Sequence, residues 1–416
     1  MNILVFTVIL ILLILVIDLY VFQAISSVFS RASNSLKKGF YWAHWGIAAA
    51  SILGTIIYRH LPAGSLPNSV RTVFLVGVFI VYFSKVFGLV PLLLDDLLRL
   101  GKWIWAKTVR QQKSSKTNGS GISRSEFLTK ASLVSISIPF ITMSHGILFG
   151  SHNYRLHRAS VPVRRLPGAL NGLRIAQISD VHAGSFFSRN AVIPGIEMLL
   201  EQKPDIVFFT GDLVNIQADE MRDYIELFSR IKAPLGVYSV LGNHDYGDYR
   251  NWPDPDDKVR NQRDIHQIHG QMGWNLLLNE NRMIDIDNER LCIIGVENWG
   301  AGRFSKYGDL AAASVGTGDA SMKILLSHDP SHWDAQIRPE FGDIDLTLSG
   351  HTHGFQFGVE FGGIKWSPSQ YIYKQWAGLY REGEQHLYVN RGFGYIGYPG
   401  RVGIYPEITL LELTKA

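Results

Sequence analysis

Five short motifs rich in aspartate, asparagine and histidine follow one another between residues 180 and 353. They are Asp180-Val181-His182, Gly211-Asp212, Gly242-Asn243-His244-Asp245, His328-Asp329 and Gly350-His351-Thr352-His353. Together they offer seven candidate ligands: two aspartates, one asparagine and four histidines. Mixed carboxylate and imidazole ligands suit Mn, Fe or Zn in octahedral-type sites. Seven donors exceed the needs of one ion, so the pattern predicts two divalent metal ions that share a bridging carboxylate.

Each motif by itself also has an ordinary structural explanation. An Asp-x-His triplet is commonly a surface loop or a helix cap, and Gly-Asp is a common turn. A histidine after an apolar run, such as His328 after Ile324–Ser327, is commonly a hydrogen-bonded core residue. The order and spacing of all five motifs favour a metal centre over these separate explanations.

The motifs need strands that end close together, and the surrounding sequence has that pattern. From residue 173 onward, short apolar runs alternate with amphipathic stretches such as Ala191–Gln202 and Met221–Ile231, which predicts a layered α/β domain. The predicted strands are Leu173–Ile178, Ile206–Phe209, Val237–Leu241, Leu291–Val296, Ile324–Leu326 and Leu346–Leu348. Nearly every motif follows one of them, and loops at the carboxyl ends of strands are where open α/β sheets bind ligands. Two later runs, Leu387–Val389 and Ile408–Leu413, are predicted to close a second sheet.

The ordered motif set resembles the signature of the calcineurin-like metallophosphoesterases. Its flanks, Leu173–His182 and Pro406–Leu410, are similar to the bacterial membrane-associated or exported branch of that family. The resemblance covers about Asn153 to Leu413 and implies an α/β fold in which a two-sheet sandwich is flanked by helices. It also implies a dinuclear, metal-dependent hydrolase of phosphoester bonds, either a phosphodiesterase or a phosphatase.

Carried over residue by residue, the resemblance implies a complete set of ligands. One metal ion would be held by Asp180, His182 and His353, the second by Asn243, His328 and His351, and both by a bridging Asp212. All seven positions have the expected residue type. Phe355 departs from the family pattern, in which a second glycine often follows this motif, and is expected to change the shape of the groove beside the metals.

A general acid is expected beside the metals because an alkoxide leaving group needs a proton. His244, next to the ligand Asn243, is the candidate donor, and Asp245 is expected to orient or charge its imidazole. The alternative is that His244 only positions Asn243 through a hydrogen bond.

The first 150 residues have a different composition. Four apolar stretches, at about residues 3–22, 40–58, 73–94 and 128–149, are long enough to span a bilayer. We therefore expect a membrane anchor at residues 1–150 and a metallophosphoesterase domain at residues 151–416. A basic, low-complexity linker lies around Gln111–Gly121, and the ionisable residues Asp18, Lys85 and His145 lie within or near the spans.

Basic residues between the spans predict the orientation of the chain. They are concentrated after the first span and between residues 99 and 130, with few between the second and third spans. By the positive-inside rule these two segments are cytoplasmic, which predicts a multi-pass cell membrane protein with an extracytoplasmic catalytic domain. If the fourth stretch is instead a buried or interfacial helix, the domain would be cytoplasmic.

Composition narrows the partners. The formal net charge of +4 provides no general basic field, so no nucleic-acid partner is expected. The single cysteine, Cys292, excludes an intrachain disulfide and a cysteine-based zinc cluster. The predicted location of the catalytic domain at a membrane favours a phosphoester substrate that is lipid-linked. An alternative function is a catalytically inert metal-binding scaffold that uses the fold for protein contacts.

The stretch from Lys365 to Tyr380 has an unusual density of aromatic residues. It fits either core packing or an interfacial belt that lies against the bilayer and reaches lipid head groups.

Overall fold

The computed structural model describes residues 3–61, 65, 68–108 and 124–416. The chain forms two compact units, residues 1–144 and 145–416. The boundary lies a few residues before the predicted one because the turn after residue 145 belongs to the second unit, where Arg401 N donates to Gly146 O at 3.1 Å. The predicted linker around Gln111–Gly121 lies outside the described residues.

The first unit is made of long helices. They are α1 (Ile3–Val28), α2 (Asn34–His60), α3 (Asn68–Thr108) and α4 (Arg124–His145). Each predicted span falls on a helix that is long and apolar enough to cross a membrane. Helix α3 is much longer than its predicted span because residues 95–108, although more polar, contain no helix breaker apart from the tolerated Gly101.

The second unit combines strands with short helices. The strands are β1 (Arg155–Val163), β2 (Arg174–Ile178), β3 (Ile206–Phe209), β4 (Val237–Ser239), β5 (Asn275–Leu276), β6 (Glu280–Ile286), β7 (Glu289–Gly295), β8 (Met322–Leu326), β9 (Leu346–Ser349), β10 (Val359–Phe361), β11 (Ile364–Trp366), β12 (Gly378–Glu382), β13 (Gln385–Val389) and β14 (Glu407–Lys415). The helices are α5 (Ile193–Glu201), α6 (Ile225–Phe228), α7 (Pro255–Gln271), α8 (Leu310–Ala313) and α9 (Arg338–Glu340).

These strands form two six-stranded sheets and one small hairpin. The first sheet has the order β1-β14-β2-β3-β4-β5, the second has the order β12-β13-β9-β8-β7-β6, and β10 pairs with β11. Strands β2 to β5 are parallel to one another, as are β7, β8, β9 and β13. The carboxyl ends of the parallel strands therefore lie on one edge of each sheet.

The two sheets pack face to face, with helices on both outer faces. Apolar side chains of both sheets, including Phe208 and Ile324, form the layer between them. Residues of α5, α6 and α7 cover the outer face of the first sheet, and residues of α8 and the turn at Trp333–Ile337 cover the second. The central strands are buried on both faces; β3 is a continuous apolar run, whereas β8 includes Lys323 and β9 alternates apolar residues with Thr347 and Ser349. The predicted two-sheet sandwich flanked by helices is confirmed.

Every predicted strand is present, but the sheet predicted for one of them was wrong. Ile408–Leu413 lies in β14, which belongs to the first sheet and pairs with β2 and with β1. Strand β1 was not predicted. It pairs with β14 and forms one edge of the first sheet. The stretch Met221–Ile231 is α-helical only at Ile225–Phe228.

Candidate metal centre

All five predicted motifs lie in loops at the carboxyl ends of parallel strands. Asp180, Asp212 and Asn243 follow β2, β3 and β4 of the first sheet, whereas His328 and the histidine pair follow β8 and β9 of the second. The side chains converge from both sheets, because carboxylates of the first sheet lie within hydrogen-bond distance of imidazoles of the second. The centre is therefore built at the edge where the two layers of the sandwich meet.

One group of candidate ligands consists of Asp180, His182 and His353. His353 Nε2 lies 3.2 Å from Asp180 Oδ1 and 3.0 Å from His182 Nε2. All three side chains are buried, and their donor atoms are close enough to share one ion. Three donors around one point, two of them imidazole nitrogens, form an arrangement that suits a transition metal.

A second group consists of Asp212, His328 and His351. His328 Nε2 lies 3.1 Å from Asp212 Oδ2 and 3.3 Å from His351 Nδ1. Asp212 Oδ2 also lies 3.5 Å from His182 Nε2 of the first group. This single oxygen therefore faces both groups.

The hydrogen bonds around His328 indicate that a cation fits this site. His328 Nδ1 donates to Thr210 O at 2.7 Å, so in the neutral ring Nε2 carries the lone pair, and that lone pair points at the carboxylate of Asp212. Asn243 Oδ1 is buried without a hydrogen-bond partner among the described residues, while its Nδ2 donates to Tyr249 at 2.8 Å. A divalent ion satisfies both oxygens and the imidazole nitrogen, so the residues fit the metals that their chemistry predicts.

Burial and charge shift the pKa values of these groups strongly. Burial lowers the pKa of His182 to about 3. Burial also opposes a charge on His328, but the carboxylate of Asp212 outweighs it and raises the pKa of His328 to about 10. Burial likewise raises the pKa of Asp212, yet the neighbouring His328 and His244 outweigh it, and the pKa lies well below its usual value. The site thus demands positive charge beside Asp212, which a metal ion supplies.

His244 and Asp245 have different surroundings from those expected. His244 Nδ1 donates to Asn215 O at 2.8 Å, and its backbone N–H donates to Asp212 Oδ1 at 2.8 Å. The imidazole lines the cleft together with the ligands, so Nε2 remains the nitrogen available to a bound molecule. The group that orients this ring is thus the carbonyl of Asn215 and not Asp245.

Asp245 is fully buried beneath the Asp212 loop. Its carboxylate accepts backbone N–H groups from Asp212 at 2.9 Å, Leu213 at 2.8 Å and Gly242 at 2.9 Å. Burial, followed by the charge of Asp212, raises its pKa to about 7, although the amide of Gly242 acts in the opposite direction. Asp245 thus holds together the loops that carry the candidate ligands Asp212 and Asn243.

Several residues of the site have no recognisable signal in the sequence. The carbonyls of Thr210 and Asn215 orient His328 and His244, and any residue type provides such a carbonyl. Tyr373 places its hydroxyl 2.9 Å from His351 Nε2. Arg401 is buried, and its Nη1 donates to His353 O at 3.2 Å and to Arg391 O at 2.7 Å. It therefore fixes the loop that carries the candidate ligand His353. An arginine that follows a glycine in a loop is otherwise typical of a surface residue.

Comparison with known proteins identifies the family. Residues 173–355 match the family model of the calcineurin-like phosphoesterases, and residues 1–151 match a model described as a probable calcineurin-like phosphoesterase transmembrane domain. The chain is 30% identical over 351 residues to a transmembrane protein with metallophosphoesterase domain from Danio rerio, covering 82% of this chain and 72% of that protein. It is 30% identical over 253 residues to the uncharacterized metallophosphoesterase YkuE of Bacillus subtilis, covering 60% of this chain and 81% of the relative. It is 29% identical over 251 residues to the phosphodiesterase YaeI of Escherichia coli, covering 58% of this chain and 82% of that relative.

The fold, the site and these relatives define a membrane-associated, metal-dependent phosphoric ester hydrolase. The chain belongs to the calcineurin-like metallophosphoesterase family. It is an enzyme that uses two divalent metal ions to hydrolyse phosphoester bonds, and it is a membrane protein. The alternative of a catalytically inert scaffold is not retained.

Proposed function

We propose that this enzyme hydrolyses phosphoesters of membrane-derived molecules at the extracytoplasmic face of a cell membrane. The observation that carries the catalytic part is the position of Asp212 Oδ2, which lies 3.1 Å from His328 Nε2 and 3.5 Å from His182 Nε2. An oxygen that faces both groups of ligands is what a dinuclear site requires of its bridging carboxylate.

The proposed ligands follow from this bridge. Asp180, His182 and His353 would hold one ion, Asn243, His328 and His351 would hold the other, and Asp212 would serve both. The proposal is supported by the short distances within each group and by the Oδ1 of Asn243, which has no hydrogen-bond partner among the residues that the structure describes. When bound, the ions supply Lewis-acid stabilisation of the phosphoryl oxygens and activation of water.

His244 is the proposed general acid. Its Nδ1 is held by Asn215 O, so the ring keeps one orientation and offers Nε2 to the cleft. From there Nε2 donates a proton to the departing oxygen of the ester, which prevents the release of a strongly basic alkoxide. Tyr249 packs against this ring with centroids 4.5 Å apart, and its hydroxyl accepts a hydrogen bond from Asn243 Nδ2, so it positions the acid relative to the proposed ligand.

The substrate class is inferred from location. Four helices long and apolar enough to span a membrane are in the same chain as the catalytic unit. The distribution of basic residues between the spans supports an extracytoplasmic catalytic unit. A phosphodiester or pyrophosphate in a phospholipid or a lipid-linked sugar nucleotide is therefore the favoured substrate.

The first test is hydrolysis of bis-p-nitrophenyl phosphate by the full-length protein in detergent with added Mn²⁺. We expect Asp212→Ala to lower turnover at least about 100-fold, because losing the bridge removes several kcal/mol of transition-state stabilisation. Its metal content, measured on the purified protein, should also fall.

Asp319→Ala is the matched control, because this carboxylate is exposed and, among the described residues, forms an ion pair at the surface with Arg290 alone. Its turnover and metal content should equal those of the wild type. Equal turnover of Asp212→Ala and the wild type would refute the dinuclear assignment. Comparison with p-nitrophenyl phosphate then distinguishes a diesterase from a monoesterase.

A further inference from the structure

The segment between the metal ligand His353 and Tyr373 exposes a dense group of large apolar side chains. We call this group the apolar rim; it consists of Phe355, Phe357, Val359, Phe361, Ile364, Tyr371 and Ile372. Phe361 is 84% exposed, Tyr371 74%, Ile372 68% and Ile364 64%. Between residues 151 and 353, exposed apolar side chains of this size are far apart in the sequence. A contiguous exposed apolar patch marks an interaction site.

An ordinary soluble hairpin packs its apolar face against the protein and exposes its polar face. In the hairpin of β10 and β11, the charged pair contacts the protein and apolar side chains are exposed. Phe361 pairs with Ile364 and Val359 with Trp366, which puts these four residues on one face because side chains alternate along a strand. Glu360 pairs with Lys365 on the other face. Phe361 and Ile364 at the tip of the apolar face are among its most exposed side chains.

The charged face of the hairpin is satisfied by the protein. Glu360 accepts a hydrogen bond from Arg391, and Lys365 donates to Ala377 O and lies 4.9 Å from the ring centroid of Trp376. Residues 354–373 contain no other charged side chain. The outward surface therefore carries no free charge.

The rim is continuous with the metal centre at both ends. Phe355 follows the ligand loop directly and lines the cleft, and Tyr373 places its hydroxyl 2.9 Å from His351 Nε2. Phe355 also has a left-handed backbone with φ of 50°, so its side chain is directed by a conformation that glycine normally adopts. A molecule held on the rim would thus have the metal centre beside it.

We propose that the apolar rim is a bilayer-docking surface that enters the head-group region and brings membrane-resident phosphoesters to the metal centre. A lipid surface is the favoured occupant because the chain's own spanning helices keep the catalytic unit at a bilayer, and because a charge-free aromatic surface matches the membrane interface. The delivery of substrate rests on the proposed function, whereas the docking itself does not.

The docking is tested on the full-length protein in nanodiscs of phosphatidylcholine, with one chain in each disc. The only native cysteine, Cys292, is buried, so an environment-sensitive fluorophore can be attached selectively at Phe361→Cys or, as a second variant, at Ile364→Cys. Val259→Cys on α7 is the control, because this residue is 67% exposed and lies outside the rim. We expect doxyl-labelled lipid to quench the rim positions at least about threefold more than the control.

The expected quenching should persist at high salt, because the rim carries no free charge. Equal quenching at the rim and control positions would overturn the proposal. The proposal would also be overturned if, in detergent, the rim positions became more shielded as the protein concentration rose. The occupant of the rim would then be a second copy of the chain.

A second measurement tests the link to catalysis and is independent of the first. The double substitution Phe361→Ser with Ile364→Ser should lower the ratio of phospholipid hydrolysis to bis-p-nitrophenyl phosphate hydrolysis about tenfold, as expected when two apolar side chains lose their burial in lipid. An unchanged ratio would refute substrate delivery by the rim. Failure of the wild type on every substrate would refute the proposed function and leave the quenching result standing.

Discussion

Five of the seven candidate metal ligands have a left-handed backbone. Asp180, His182, Asp212, His351 and His353 have φ values between 49° and 71°. A non-glycine residue rarely adopts this region, and each such residue costs roughly 1 kcal/mol or more. The strain is held by the surrounding hydrogen bonds, among them those that Asp245 accepts from the Asp212 loop. The ligand geometry is therefore imposed by the fold and not by local preference.

The role of His244 is testable through the leaving group. His244→Ala should retain both metals and lower turnover about 10²–10⁴-fold for alkyl phosphodiesters, whose leaving groups need a proton. The loss should be small for bis-p-nitrophenyl phosphate, whose leaving group departs as a stable anion. The measurement is the rate of each substrate together with the metal content.

Asp245→Asn is the informative comparison for that experiment. With the amide nitrogen of asparagine in place of Oδ2, the backbone N–H groups of both Asp212 and Gly242 would face a donor, so both loops should lose their anchor. We expect this variant to lose metal and to lose turnover on both substrates alike. If His244→Ala behaved in the same way, the histidine would be a positioning residue and not the acid.

At the scale of secondary-structure elements, the ionisable residues of the anchor come together. Asp18 of α1 is fully buried and its carboxylate contacts Lys85 of α3; Tyr82 donates to the same carboxylate at 2.7 Å. His44 of α2 lies 3.4 Å from it. Asp18, His44 and Lys85, far apart in sequence, thus join three helices, whereas His145 lies in the other unit. A buried ion pair of this kind specifies how helices pack in an apolar surrounding.

Lys85→Met should destabilise the anchor by about 3 kcal/mol, because it leaves Asp18 buried without its counter-charge. Replacing both partners, as in Asp18→Leu with Lys85→Met, should restore most of that stability. The measurement is the midpoint of unfolding in a titration with sodium dodecyl sulfate. Lys102→Met on the exposed part of α3 is the control, and equal loss in the single and double variants would contradict a pairwise role.

At the scale of the whole molecule, the side of the membrane occupied by the catalytic unit determines which phosphoesters it meets. Cys292 is buried, so Val315→Cys provides one exposed thiol on the catalytic unit, and Ser35→Cys provides one in the connection predicted to be cytoplasmic. A membrane-impermeant maleimide applied to intact spheroplasts should label the first variant at once. It should label the second only after permeabilisation, and the reverse pattern would place the catalysis in the cytoplasm.

The sequence alone determined the features that depend on neighbouring residues. Apolar runs revealed the central strands, and Ile206–Phe209 agrees at both ends with β3, because this strand is buried on both faces and is apolar throughout. The four spans followed from length and hydropathy for a similar reason. The order of the donor residues predicted the metals, since ligand chemistry is a property of side-chain type.

Only the tertiary structure decided which distant groups meet. It showed that Asp212 Oδ2 faces both ligand groups, that Asn215 O and not Asp245 orients His244, and that β14 joins the first sheet. A backbone carbonyl has no residue identity, and a strand's apolar pattern does not specify its partner. The sequence likewise left open whether the apolar residues of the hairpin are buried or exposed. The same aromatic residues fit a core or a surface, and only the tertiary packing determines which of them are exposed.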